Sequence, residues 1–306
     1  MQFEPSAEKF MRVSPMTALL KFPIAIFFSF WAFIASADGH RSLIQTVERI
    51  AGEIEAQVGF AAYDLESGQR WEYQADQRFA MSSTFKTLAC AALLHRVDAG
   101  QESLDRRVSF SESDLVTYSP ITEKHAGGQA MSLADLCEAA LTMSDNTAAN
   151  LVLQALGGPE KVTLFARGLG DDVTRLDRWE TELNEAVPGD NRDTTTPNEM
   201  VKNLQNLLLG DVLSRKSRDQ LYDWLKRNQV ADGLFRAAVP EGWIVADRTG
   251  AGGFGSRSIT AIFWPPERQP IVVALYLTQT EASFSERNKA ITEIGEAIVL
   301  TVDSGR

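Results

Sequence analysis

A serine hydroxyl is a poor nucleophile at neutral pH unless a base lies within hydrogen-bond reach. The chain offers such a pairing at Ser83-Thr84-Phe85-Lys86, where Ser83 and Lys86 stand at i and i+3 and share one face of a helix. Ser83 opens that predicted helix, so unpaired backbone N–H groups beside it can help hold a developing oxyanion. Alone, the same residues read more readily as an N-cap serine with a solvated lysine one turn later. Three more boxes follow in order: Ser144-Asp145-Asn146, Glu180-Thr181-Glu182-Leu183-Asn184 and Arg248-Thr249-Gly250. In this sequence order they describe a serine acyl-transfer site that also carries its own base for water, namely the Glu180 carboxylate. Each has a plainer reading as well. Ser, Asp and Asn favour helix-capping turns, and a glycine closing a strand allows close backbone approach.

The elements that position these boxes can be read from periodicity. Leu43, Ile44, Val47, Ile50, Ala51 and Ile54 recur at helical spacing near the start, as do Ala290, Ile291, Ile294 and Ile298 near the end. Strand-like runs lie inside them: Val58 to Tyr63, Arg70 to Tyr73, Trp243 to Asp247, Ser258 to Trp264 and Ile271 to Thr278. Between the two groups the pattern is helical, over Ser83–Val97, Leu133–Met143, Thr147–Leu156, Pro159–Gly168, Pro197–Leu209 and Ser217–Asn228. The simplest assembly is an α+β fold: an antiparallel sheet built from both chain ends, flanked by the terminal helices, with an all-helical domain inserted. This gives a discontinuous α/β domain of residues 38–81 and 227–306 and a helical domain of 82–226. Residues 175–196 have no clear period and read as a long ordered loop, a kind usually functional inside a compact domain.

The formal charge is −11 with no Lys/Arg-rich run, which argues against a nucleic-acid partner and against anionic lipid surfaces. Residues 1–37 read as a secretory signal. Lys9, Arg12 and Lys21 precede an apolar run from Phe22 to Ile34, and Ala35-Ser36-Ala37 forms an A-x-A cleavage pattern. That run is about 13 residues, whereas spanning a bilayer takes roughly 20. Export to the periplasm and a mature chain starting near Asp38 are therefore expected. His40, His95 and His125 lack metal-ligand spacing.

S-x-x-K, S-D-N and K-T-G are the known signature of class A β-lactamases and penicillin-binding proteins. Beyond about the first 40 residues the chain resembles a class A β-lactamase throughout. The likeness continues through Tyr118-Ser119-Pro120-Ile121-Thr122-Glu123-Lys124-His125, Arg178-Trp179-Glu180 to Asp193-Thr194-Thr195, and Gly250-Ala251-Gly252-Gly253 to Ser256-Arg257-Ser258. Arg248 stands where most of the family has Lys, and in this the chain resembles the carbenicillin-hydrolysing penicillinases. Thr181 stands where many relatives have a proline preceded by a cis bond.

The resemblance implies a monomer that hydrolyses penicillins through a Ser83 acyl-enzyme, with no metal or organic cofactor and a small-molecule β-lactam as its partner. It makes Lys86 or Glu180 the acylation base and Ser144 the relay of a proton to the leaving β-lactam nitrogen. Glu180 and Asn184 hold the hydrolytic water. Asn146 binds the substrate's side-chain amide, and Tyr118 edges the pocket. Arg248, Thr249, Gly250 and Arg257 form the carboxylate end, and the Ser83 and Ala251 N–H groups form the oxyanion hole. Arg178 and Asp193 resemble an ion pair that pins the loop. Arg257 and Tyr118 also read as an exposed strand charge and a surface tyrosine. Some family members bridge the positions of Cys90 and Cys137. Export favours that bridge here, two buried free thiols being the alternative. Ser82 and Gly252 rule out the disulfide of many class A carbapenemases. Two rivals share part of the signature: a penicillin-binding D-Ala-D-Ala peptidase, and a β-lactam sensor that is acylated and stops there.

Overall fold

The computed structural model of the chain describes residues 42–304, and the predicted signal segment 1–37 lies outside them. In chain order the elements are α1 (42–53), β1 (Gln57–Asp64), β2 (Arg70–Tyr73), β3 (Phe79–Ala80) and α2 (Phe85–Asp98). Next come β4 (Arg107–Val108), β5 (Met131–Ser132), α3 (Leu133–Thr142), α4 (Asn146–Leu156), α5 (Glu160–Gly168) and β6 (Thr194–Thr195). The chain closes with α6 (Pro197–Leu208), α7 (Arg215–Lys226), α8 (Phe235–Ala238), β7 (Ile244–Ala251), β8 (Arg257–Trp264), β9 (Ile271–Thr278) and α9 (Phe284–Ser304).

Strands from both chain ends form one antiparallel sheet in the order β2-β1-β9-β8-β7. Its strands alternate between two apolar layers, as the period of two demands when both faces are covered. In β9, Val273, Leu275 and Leu277 pack with α1 and α9, while Val272, Ala274 and Tyr276 pack with the central helices. This is the α+β arrangement expected from the sequence. The apolar stripe of α9 closes the outer layer, with Ile291, Ile294 and Ile298 buried there.

Helix α2 is buried all round from Phe85 to Leu94, which makes it the central helix of the molecule. Ser83 lies just ahead of it in a 3-10 turn, Ser82–Thr84, rather than as its first α-helical residue. Helix α7 begins two residues before the expected Ser217, because the Ser214 hydroxyl caps it by accepting from Ser217 N. The short helix α8 was not legible in the periodicity.

Cys90 and Cys137 are two free, buried thiols, which corrects the expected bridge. Cys90 Sγ points to the Cys137 carbonyl oxygen at 4.0 Å, so the sulfurs fill space between α2 and α3 as small apolar groups. Burial pushes the Cys137 thiol well above its usual range.

Candidate active site

Three segments bring three of the four boxes together. The 3-10 turn carries Ser83, the junction of α3 and α4 carries Ser144 and Asn146, and β7 carries Arg248-Thr249-Gly250 just before its last residue, Ala251. The turn is seated directly on the strand. A Cβ at Gly250 would meet Ser258 Oγ at 2.5 Å and Met81 O at 3.0 Å, so glycine here serves packing between strand and turn as well as the cleft. Asp145 explains why the S-D-N turn holds its shape. Fully buried, its carboxylate accepts from Ile121 N, Thr122 N, the Thr122 hydroxyl and Ala148 N, all within 2.9 Å. The last of these is the N-cap of α4.

Ser83, Lys86 and Glu180 meet almost shut off from bulk solvent, exposed by 7%, 0% and 2%. Lys86 Nζ lies 3.0 Å from Glu180 Oε1 and donates to Asn146 Oδ1 at 2.6 Å and to the Ser144 carbonyl at 2.9 Å. Ser83 Oγ lies 3.4 Å from Glu180 Oε1, and Ser144 Oγ donates to Ser83 Oγ at 3.2 Å. Burial pushes the Lys86 ammonium down to about 8, against the opposing charge of Glu180 and with further lowering by Arg248. A lysine near neutrality can give up its proton at working pH and so act as a base.

The loop that bears Glu180 is fastened at several points. Arg178 Nε donates to Asp193 Oδ2 at 2.6 Å, and Asp193 also accepts from Asp177 N and Arg178 N at 2.7 and 2.9 Å. The pair is largely buried, unlike the exposed pairs whose worth is usually small. Met81 N donates to Asp193 O at 2.9 Å, and β6 pairs with β3, so the loop end is stitched to the chain just before Ser83. On the other side Asn184 Nδ2 donates to Glu180 Oε2 at 2.5 Å. The Glu180-Thr181 peptide bond is cis. Asn150, absent from the sequence reading, accepts from Glu180 N and donates to Glu180 O. Its only sequence signal is its spacing, one turn beyond Asn146 on α4.

The opening above Ser83 is a cleft of about 330 Å³, lined by Tyr118, Ser144, Asn146, Asn184, Thr249, Gly250, Ala251, Arg257 and Phe284 among others. Tyr118 is 53% exposed at its rim, in keeping with an edge residue. Arg248 is fully buried behind the cleft and donates through Nη2 to Ser144 Oγ. Its Nε and Nη1 have no protein partner among the described residues. Burial lowers its guanidinium to about 10, still charged at neutral pH. Arg257 is not an exposed strand charge. It is buried, donating from Nη1 to Gly250 O and from Nε to Asn288 Oδ1, each at 2.9 Å.

A sheet from both chain ends, packed on helices, with serine, lysine and glutamate in contact at their junction, defines a serine hydrolase working through an acyl-enzyme. The chain belongs to the β-lactamase enzyme family, whose sequence model matches residues 42–302, as a member of class A. It is 50% identical over 260 residues to β-lactamase AER-1 of Aeromonas hydrophila, covering 85% of this chain and 86% of that one. With β-lactamase CARB-4 of Pseudomonas aeruginosa it shares 48% over 264 residues, 86% and 91% of the two chains. An ancestral class A β-lactamase superposes with a TM-score of 0.83 at 52% identity, covering 84% of this chain and 99% of the other. The enzyme therefore hydrolyses β-lactams and so opposes these antibiotics, and the peptidase and sensor readings are not favoured.

Proposed function

We propose that the enzyme is a penicillinase that also takes carboxypenicillins, with Ser83 as nucleophile. Lys86, or Glu180 beside it, accepts the Ser83 proton. The Ser83 and Ala251 N–H groups stabilise the oxyanion, and Ser144 passes a proton to the leaving nitrogen. Glu180, with Asn184, then activates the water that cleaves the ester. The observation that carries this reading is the position of one carboxylate oxygen, Glu180 Oε1, within 3.4 Å of Ser83 Oγ and 3.0 Å of Lys86 Nζ.

At the other end of the cleft Arg248, Thr249, Gly250 and Arg257 receive the substrate carboxylate, while Asn146 and Tyr118 contact its side chain. The unpartnered donors of the buried Arg248 support a carboxylate anchor, and the similarity to CARB-4 supports a preference for penicillins bearing a second carboxylate. Removal of residues 1–37 on export, a periplasmic location, a monomeric state and a helical domain 82–226 inserted into 38–81 and 227–306 belong to the same reading. No helix among the described residues is long and apolar enough to cross a membrane. Steady-state hydrolysis of benzylpenicillin, carbenicillin and cephalothin tests it. Carbenicillin turned over about as efficiently as benzylpenicillin is expected, and carbenicillin left intact overturns the substrate assignment.

A further inference from the structure

Phe284 belongs to none of the four boxes, yet its ring lines the cleft beside Arg257, Thr249 and Ala251 while remaining 51% exposed. It is the first residue of α9, set in place by a reciprocal cap in which Ser283 N donates to Glu286 Oε2 at 2.7 Å and Glu286 N to Ser283 Oγ at 3.2 Å. Two guanidinium groups flank the ring, Arg257 with Cζ 4.8 Å from the centroid and Arg287 at 5.5 Å. Both distances are within the range of cation–π attraction. The hydrogen bonds of Arg257 and Arg287 run to neutral oxygens, those of Gly250, Asn288, Ser283 and Ser256. Burial and repulsion from Arg248 and Arg287 together bring the Arg257 guanidinium down to about 10. The electron-rich face of Phe284 is thus what the protein sets against two neighbouring cations.

We propose that Phe284 is a positioning and specificity residue for β-lactam hydrolysis. Its ring holds the Arg257 guanidinium at the cleft and forms an apolar wall beside the substrate's ring carboxylate. That carboxylate is flanked in penicillins by a small apolar carbon bearing two methyl groups. In cephalosporins the neighbouring ring carbon carries a substituent that is often larger and polar. An apolar wall at this point favours the former. The proposal rests on the reading in which Arg248 and Arg257 receive the carboxylate.

Full-length enzyme carrying Phe284→Ala, Phe284→Leu, Arg257→Ala or Phe284→Ala with Arg257→Ala is compared with wild type for kcat and KM on benzylpenicillin and cephalothin. Phe284→Leu keeps an apolar side chain and loses the π face, so its KM for benzylpenicillin rises about three- to ten-fold with kcat nearly unchanged. Phe284→Ala raises KM likewise and also lowers the penicillin-to-cephalothin ratio of kcat/KM by about three-fold or more. The double variant loses less on benzylpenicillin than the two single losses combined, since the part of Phe284's effect that runs through Arg257 is already gone in Arg257→Ala. An unchanged ratio in Phe284→Ala, or losses that add in full, overturns the proposal. The ratio does not depend on the fraction of enzyme that folds, so a destabilised variant still gives an answer. Wild type that fails to hydrolyse benzylpenicillin contradicts the functional reading instead.

Discussion

Asn150 clasps Glu180 from helix α4: its Oδ1 accepts from Glu180 N and its Nδ2 donates to Glu180 O, both at 2.9 Å. Removing this clasp frees the loop backbone at the residue that activates water. Asn150→Ala is expected to cost about 1–3 kcal/mol of stability through the unpaired backbone groups. It should also lower kcat by roughly 10², the scale of a small misplacement of a reacting group. Thermal melting and nitrocefin kinetics check this, with a burst of close to one product per enzyme as acyl-enzyme builds up. Wild-type kcat in the variant contradicts the clasp.

Lys86 supplies a pH test. Burial holds its folded-state value at about 8, below the ordinary 10.5, and Glu180 is the largest influence in the opposite direction. Between about 8 and 10.5 the unfolded chain binds the extra proton, so the Lys86 contribution to stability rises with pH across that window. In Glu180→Gln the opposing charge is gone and Lys86 moves below about 8. Acylation of that variant by benzylpenicillin, followed by stopped flow, should increase with pH and level off before pH 8. A rate that stays flat from pH 5 to 9 removes Lys86 as the acylation base.

Arg248→Lys tests the carboxylate anchor. A guanidinium offers a planar fork that an ammonium does not. The variant is expected to lose about ten-fold more kcat/KM on carbenicillin than on ampicillin, the worth of one charge-assisted hydrogen bond. Equal losses on both substrates leave a carboxylate anchor and refute the selectivity.

Asp193→Asn weakens the Arg178 pair and the two backbone hydrogen bonds that Asp193 accepts. Denaturant unfolding should show a loss of about 1.5–3 kcal/mol, with deacylation slowed more than acylation. Unchanged stability makes the pair an ordinary surface bridge.

The parts of this site that were legible in the sequence are those whose chemistry demands a residue type at a fixed spacing. Ser83 with Lys86, the S-D-N turn and Glu180 with Asn184 are of this kind, and the strand-like runs at both chain ends with the stripe of α9 gave the sheet and its cover. Asn150 and Phe284 escaped as site residues because they act on backbone groups or on another side chain from elements distant in sequence. The cysteine pair shows the opposite limit, since the family resemblance and export suggested a bond where the packed helices hold two thiols. The extent of α7 depended on the Ser214 cap, which periodicity does not encode.

The central claim is that Glu180 acts after Ser83 has reacted, turning a trapped ester into turnover. Glu180→Ala mixed with benzylpenicillin should still be acylated yet release product slower by about 10² to 10⁴, the usual contribution of a positioned general base. Intact-protein mass spectrometry should then show one persistent penicilloyl adduct on the variant and none on wild type once substrate is consumed. A variant that turns over at the wild-type rate, with no adduct, contradicts the account.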